Sequence, residues 1–234
     1  MTRTTRPLLI LVFVLLALLA LFVFARTDSG AQTAPAAYSF VNGRAVMEAE
    51  NAVNLRPQAG GALTITASGT ASGSAYIDNT PDGGGVWAGA TDAQSYAPRI
   101  RFYVAFPTTA TYWMWIRAQG VSTADSYHFG LDGIIPSAAM NLGCQAATWT
   151  WCTTSRATNA PTVLSVTAGF HYIDLYCRED GCEVDKVIIS TTGAYAPTGT
   201  GPAETALVTP TPTRTRTPTP VPGATVHARR GDGC

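Results

Sequence analysis

The sequence predicts an all-β fold, a sandwich or barrel of short strands, on three observations. No segment sustains a helical period. Short segments alternate apolar and polar side chains, and clusters of Gly, Pro, Asn and Asp punctuate them. Residues 45–51 (AVMEAEN) read as a first strand and 63–66 as another. The small-residue loop 69–74 leads to a short strand at 75–77, and the glycine-rich turn 82–85 precedes Val86 and Trp87. In Arg99–Phe106, Ile100, Phe102, Val104 and Phe106 share one face, opposite Arg99, Arg101 and Tyr103. After a turn at 107–110, residues 111–117 (TYWMWIR) set Tyr112, Met114 and Ile116 opposite Trp113 and Trp115. Tyr127, Phe129 and Leu131 repeat the period before Asp132-Gly133, and strands at 148–151 and 162–167 follow. In residues 170–190, His171, Ile173, Leu175 and Cys177 alternate with Tyr172, Asp174 and Tyr176. The turn chemistry of Arg178-Glu179-Asp180-Gly181 and a second β-rich run at 184–189 then predict a hairpin, its loop bracketed by Cys177 and Cys182.

The 234-residue chain divides by composition. Arg3 and Arg6 precede an uncharged apolar run at 8–25, an expected hydrophobic helix that is either a signal peptide or a membrane anchor. Ser29-Gly30-Ala31 offers a cleavage site, and either outcome exports the remainder to the cell surface or beyond. A spacer (26–37) leads to the module, 38–193. A Thr/Pro-rich, polyproline-like linker (194–225) and a tail (226–234) follow, together a disordered C-terminal region. In the tail, Arg230-Gly231-Asp232 reads as a chance tripeptide and Cys234 is left over. Between Tyr38 and Thr191, 12 acidic residues face 8 basic ones, and Lys186 is the only lysine. This mildly acidic module with no basic stripe argues against nucleic acid and suits a cation or a neutral partner. In an exported protein, Cys144, Cys152, Cys177 and Cys182 read as disulfides. Of three possible pairings the local one, Cys144–Cys152 with Cys177–Cys182, is favoured. Zinc is disfavoured by the lack of CxxC spacing and of a neighbouring histidine.

Catalysis finds little footing. The sequence holds no GxSxG, HExxH or phosphate-cradling glycine loop. His128 and His171 sit in alternating strands and read as structural. Glu48 and Glu50 lack a carboxylate facing them across a cleft, which leaves a glycoside hydrolase the less favoured reading. Two glutamates on one side of a strand can instead reach one hard cation, with Asp185 from a distant strand and loop carbonyls near 69–73 completing the shell. The bland alternative is that both glutamates are solvated edge residues. Trp87, Trp149 and Trp151 are candidates for a sugar-binding platform, against the alternative of buried core rings, whereas Trp113 and Trp115 read as packing. Arg178, Glu179 and Asp180 carry donors and acceptors at a loop tip and could grip hydroxyls, or Arg178 could pair with an acid such as Asp125.

Met47-Glu48-Ala49-Glu50-Asn51, residues 112–117 (YWMWIR), residues 125–133 (DSYHFGLDG) and the closing Ala168-Gly169-Phe170-His171, Arg178-Glu179-Asp180-Gly181 and Val184-Asp185-Lys186-Val187 together resemble a galactose-binding-domain-like jelly roll. The resemblance covers residues 38–191 and is to carbohydrate-binding module families six and thirty-five and to the C-terminal module of some glucuronidases. It implies a jelly-roll β-sandwich and a structural calcium ion held by Glu48, Glu50 and Asp185. The expectation is a non-catalytic, extracellular, glycan-binding module. A structural or adhesion module with a protein partner is the alternative.

Overall fold

The computed structural model describes residues 35–120 and 125–210. The run at 8–25, the cleavage site and the tail from 211 onward lie outside the described residues. Among the described residues two seven-stranded sheets form a β-sandwich. The first runs β14 (Leu207–Val208), β1 (Ala37–Tyr38), β6 (Arg99–Phe106), β12 (Gly169–Cys177), β8 (Ser126–Leu131), β9 (Asn141–Gly143), with β3 (Asn54–Arg56) also on β6. The second runs β10 (Ala146–Cys152), β7 (Ala110–Gly120), β13 (Glu183–Ser190), β5 (Ala75–Thr80), β4 (Ala62–Ala67), with β11 (Val163–Val166) on β7 and β2 (Arg44–Glu48) on β13. Pairing is antiparallel apart from β1 on β6.

Alternation explains the core. Ile100, Phe102, Val104 and Phe106 of β6 are buried in one cluster with Tyr112, Met114 and Ile116 of β7, Ile173 and Leu175 of β12, and Val187 and Ile189 of β13. Each such side chain contributes about 1.5–3 kcal/mol by leaving water. On β13, however, burial is nearly unbroken on both faces. Lys186, Ile188 and Ser190 point away from the core and are still buried. Residues 193–208 cover them as a strap. Lys186 Nζ donates to Thr200 O (3.0 Å) and Pro202 O (2.9 Å). Trp151 Nε1 donates to Gly199 O at 3.0 Å. Thr205 N donates to Val46 O at 3.0 Å, and β14 pairs with β1. Residues 194–208, expected in the linker, therefore pack on the sandwich. Their composition hides this because the strap contributes backbone hydrogen bonds rather than an apolar face.

Three further expectations change. The hairpin at 170–190 is not one: β12 belongs to the first sheet and β13 to the second. The connecting loop spends its backbone groups elsewhere, Trp87 N donating to Arg178 O (2.7 Å) and Asp180 N to Gly85 O (3.0 Å). The strand expected over 45–51 ends at Glu48, and Ala49–Asn51 form a 3-10 turn. A helix the periodicity did not show, α1 (Ala90–Tyr96), covers part of the first sheet. Its seven residues are too short to display a period. Arg56 donates to Gln94 O (2.9 Å) and Ala97 O (2.8 Å), satisfying carbonyls at its C-terminus.

Cys144 is bonded to Cys152 and Cys177 to Cys182, the local pairing. The second bridge clamps the passage between the sheets. With so short a loop, loss of its chain-entropy effect in Cys177→Ser/Cys182→Ser is expected to cost about 2 kcal/mol. A urea midpoint identical to wild type would contradict this.

Candidate functional site

The acids the sequence singled out do meet, at the junction of β2, β13 and the loop before β5. Glu48 is 7% exposed. Its Oε1 lies 2.9 Å from Lys186 Nζ and accepts a hydrogen bond from Ser72 Oγ at 2.9 Å. Glu50, carried one turn further by the 3-10 segment, faces the same loop. A Cβ at Gly73, whose φ is +62°, would sit 2.4 Å from Glu50 Oε1 and 3.5 Å from the Glu48 carboxyl carbon. Only glycine suits both that left-handed φ and that approach. The Oε2 atoms of Glu48 and Glu50 are buried without a hydrogen-bond partner.

Asp185 reaches the same junction from β13 and shares Ser72 with Glu48. It is fully buried, Oδ1 accepting from Ser72 N at 2.8 Å and Oδ2 from Arg117 at 2.5 Å. Both of its oxygens are thus engaged by protein donors. Among the described residues no three His, Cys, Asp or Glu side chains gather closely enough to hold a metal by themselves. A fourth acid, Glu204, arrives on the strap. It accepts from Tyr38 Oη (2.8 Å), Glu48 N (2.9 Å) and Asn51 Nδ2 (2.8 Å). Sequence reasoning missed it because it sits in a stretch read as linker.

Burial dominates the electrostatics here. It raises the Glu48 carboxyl above the usual carboxylate range against the pull of Lys186, and it raises Asp185 against the pull of Arg117. Glu50 is pushed up to about 7 by burial, reinforced by the charges of Glu48, Asp185 and Glu204. At full ionisation four carboxylates face only Lys186 and Arg117, leaving two negative charges uncompensated.

The expected sugar-binding residues separate. Trp151 lies under the strap, where a Cβ at Gly201 would approach its ring to 2.7 Å. Trp149 packs edge-on against Tyr76 (5.1 Å), bonds Thr70 Oγ1 (3.2 Å) and faces the Arg117 guanidinium (5.7 Å), so it borders the acid cluster. Trp113 and Trp115 are half-buried on the outer face of β7, as packing residues. Glu179 and Asp180 are buried and do not face solvent. Glu179 accepts from Ser126 N (3.0 Å) and pairs with Arg178. Asp180 accepts from Gly83 N (2.9 Å) and Gly84 N (3.0 Å). Asp125 pairs with Arg156, not Arg178. These charges staple loops together because each carboxylate, out of water, takes the nearest free N–H.

Trp87, half-buried against the core, lines an open cavity of about 270 Å³ with Arg56, Gln58, Ser95 and Tyr96. Tyr96, at the end of α1, is 66% exposed. The sequence carried no signal for it, since a tyrosine two residues before a proline looks like any loop aromatic.

His171 is held between Asp132 (2.8 Å) and Thr167 (3.0 Å). His128 is 3% exposed, and neither ring nitrogen makes a well-formed hydrogen bond. Burial lowers its pKa to about 4; Arg178 adds to this and the Trp87 backbone opposes it. This imidazole therefore binds fewer protons in the folded than in the unfolded state between about pH 6.5 and 4, so its contribution of about 3 kcal/mol is complete above that window and lost as pH falls through it, whereas Glu50, raised to about 7, contributes in the opposite sense over the same range. The melting temperature of His128→Leu relative to wild type should therefore rise as pH falls from 6.5 to 4.

No protein-family model matches the chain. It is 27% identical over 113 residues to protein P23 of Formosa agariphila, a match covering 44% of this chain and 27% of that protein, so it spans about a quarter of that relative's length. Among solved structures it is similar to a family 35 carbohydrate-binding module from Clostridium thermocellum (TM-score 0.45, 19% identity, 64% of this chain and 98% of that one). A Podospora anserina β-(1,4)-mannanase carrying a family 35 module gives TM-score 0.45 at 19% identity, over 67% of this chain and 29% of that one. The C-terminal family 6 module of a Zobellia galactanivorans laminarinase gives 0.39 at 13% identity, over 63% of this chain and 98% of that one.

Proposed function

We propose that this chain is an exported, non-catalytic carbohydrate-binding module. Its Trp87–Tyr96 cavity takes a saccharide, and its Glu48–Glu50 turn takes a structural calcium ion. The observation that carries the reading is the cavity itself. A half-buried indole and an exposed phenol ring stand beside planar polar groups, which suits a ligand with apolar ring faces and hydroxylated edges. The non-catalytic part is supported by the state of the candidate acid pair: Glu48 is buried, salt-bridged to Lys186 and closed over by Ser72. Export is supported by the charged-then-apolar leader and by the two disulfides.

Calcium fits what Glu48 and Glu50 present. Each has one buried oxygen without a partner, Gly73 leaves room beside them, and the local charge lacks two positive units. Glu48 and Glu50 would hold the ion through carboxylate oxygens. Asp185, already bonded through both oxygens, would position Ser72 and Arg117 around them. When bound, the ion supplies charge neutralisation and no reaction step.

A glycan array on the full chain tests the saccharide reading. Tyr96→Ala is expected to weaken binding about thirtyfold or more, as for an aromatic anchor, with no change in melting temperature because the ring is solvent-facing. Intact binding in Tyr96→Ala removes this cavity as the site, and a blank array favours the adhesion reading.

A further inference from the structure

Glu204 joins two parts of the molecule. Its backbone belongs to the strap over the outer face of the second sheet. Its carboxylate holds the turn that presents Glu48 and Glu50, through Glu48 N and Asn51 Nδ2, and holds Tyr38 Oη of β1 as well. A few ångströms away, Thr205 Oγ1 accepts from Val46 N (3.1 Å) and donates to Val46 O (3.2 Å), so the strap grips the strand that leads into the turn. Beyond Glu204 the chain pairs as β14 with β1, and before it Thr200 and Pro202 cap Lys186, which is itself the ion-pair partner of Glu48. The anchors at Thr200, Pro202 and Glu204 thus reach Glu48 directly or through Lys186. Glu48 is more than nine-tenths buried with Oε2 unpartnered and facing the cluster.

We infer that cation binding and strap docking are one coupled equilibrium, with Glu204 as the positioning residue that links them. The inference rests on the calcium reading above. Three neighbouring carboxylates, Glu48, Glu50 and Glu204, repel one another when no ion is present, and that repulsion opposes the docked strap. An ion between Glu48 and Glu50 removes it, so occupancy fastens the strap. By reciprocity the docked strap, by orienting the turn, tightens the ion's binding by the same factor. The site then controls how firmly the Thr/Pro-rich segment after residue 208 is attached to the sandwich.

Hydrogen exchange on residues 199–208 of the full chain, with CaCl2 or with EGTA, and calorimetric titration with CaCl2 test this together. Calcium is expected to slow exchange of these amides by a factor between about 5 and 150, the usual range of such couplings. In Glu204→Gln the calcium-dependent slowing should shrink below about twofold, and affinity for calcium should fall. Thr205→Val alters no charge and loosens only the strap; it should nonetheless weaken calcium binding about fivefold or more. Calcium binding to wild type with unmoved strap exchange overturns the coupling and leaves the ion site standing. Full coupling retained in Glu204→Gln overturns the role of that residue. Absence of a calorimetric signal sinks the ion site itself, and the coupling with it.

Discussion

Asp185→Ala is expected to destabilise the protein by about 3–5 kcal/mol, because it leaves the buried Arg117 guanidinium without its hydrogen-bonded ion-pair partner and Ser72 N without an acceptor. Domains of this kind have only about 5–15 kcal/mol in total, so the variant should approach the threshold of folding at physiological temperature. The geometry makes the cost specific. Asp185 is fully buried, its two oxygens divided between Arg117 and the loop that closes over the glutamates. Since the Arg117 and Ser72 bonds form whether or not an ion is bound, most of the loss should persist in EGTA. Asp185→Asn, which keeps an acceptor for Ser72 N, should cost less than the alanine variant. A urea midpoint shift under about 1 kcal/mol, or one that disappears in EGTA, would return Asp185 to the role of a metal ligand.

Calcium itself is expected to raise the melting temperature. An ion bound only by the folded state at a hundredfold excess over its Kd contributes about 2.7 kcal/mol, which for a domain of this size is roughly 5–10 °C. Glu50→Gln is the cleaner variant for removing that response. Glu48 is paired with Lys186, the chain's only lysine and itself buried, so Glu48→Gln also strands a buried ammonium and confounds the reading. Differential scanning fluorimetry in CaCl2 against EGTA should show the rise in wild type and none in Glu50→Gln. Equal melting temperatures in both buffers would remove the ion.

The legible parts of this molecule were those governed by local period. Arg99–Phe106 forms β6 with the predicted faces, and Tyr112, Met114 and Ile116 are buried as their alternation requires. Where a residue's place depends on what lies across space, local period failed. The run through Cys177 and Cys182 has the pattern of a hairpin, yet alternation says which residues share a face and not which sheet they join. Glu179 and Asp180 looked like a solvent-facing tip because charged loop residues usually are; here the backbone N–H groups of Ser126, Gly83 and Gly84 draw them inward. Glu48 and Glu50 were paired by the wrong argument, a shared strand face, and are brought to one loop by a 3-10 turn.

Composition, alternation and cysteine spacing thus determined by themselves that the middle of the chain is an all-β fold of short strands with disulfide-forming cysteines. Those properties are short-range in sequence, or follow from residue type, and survive without coordinates. The sandwich and the meeting of acids from its two ends were expectations that the resemblance implied. Only the tertiary structure decided which donors each acid meets, which tryptophan stands beside the exposed Tyr96, and that residues 193–208 are part of the sandwich. The reason is physical: a buried carboxylate or indole takes its role from whichever donor or ring lies within about 3–4 Å, and that neighbour is fixed by packing of segments more than a hundred residues apart.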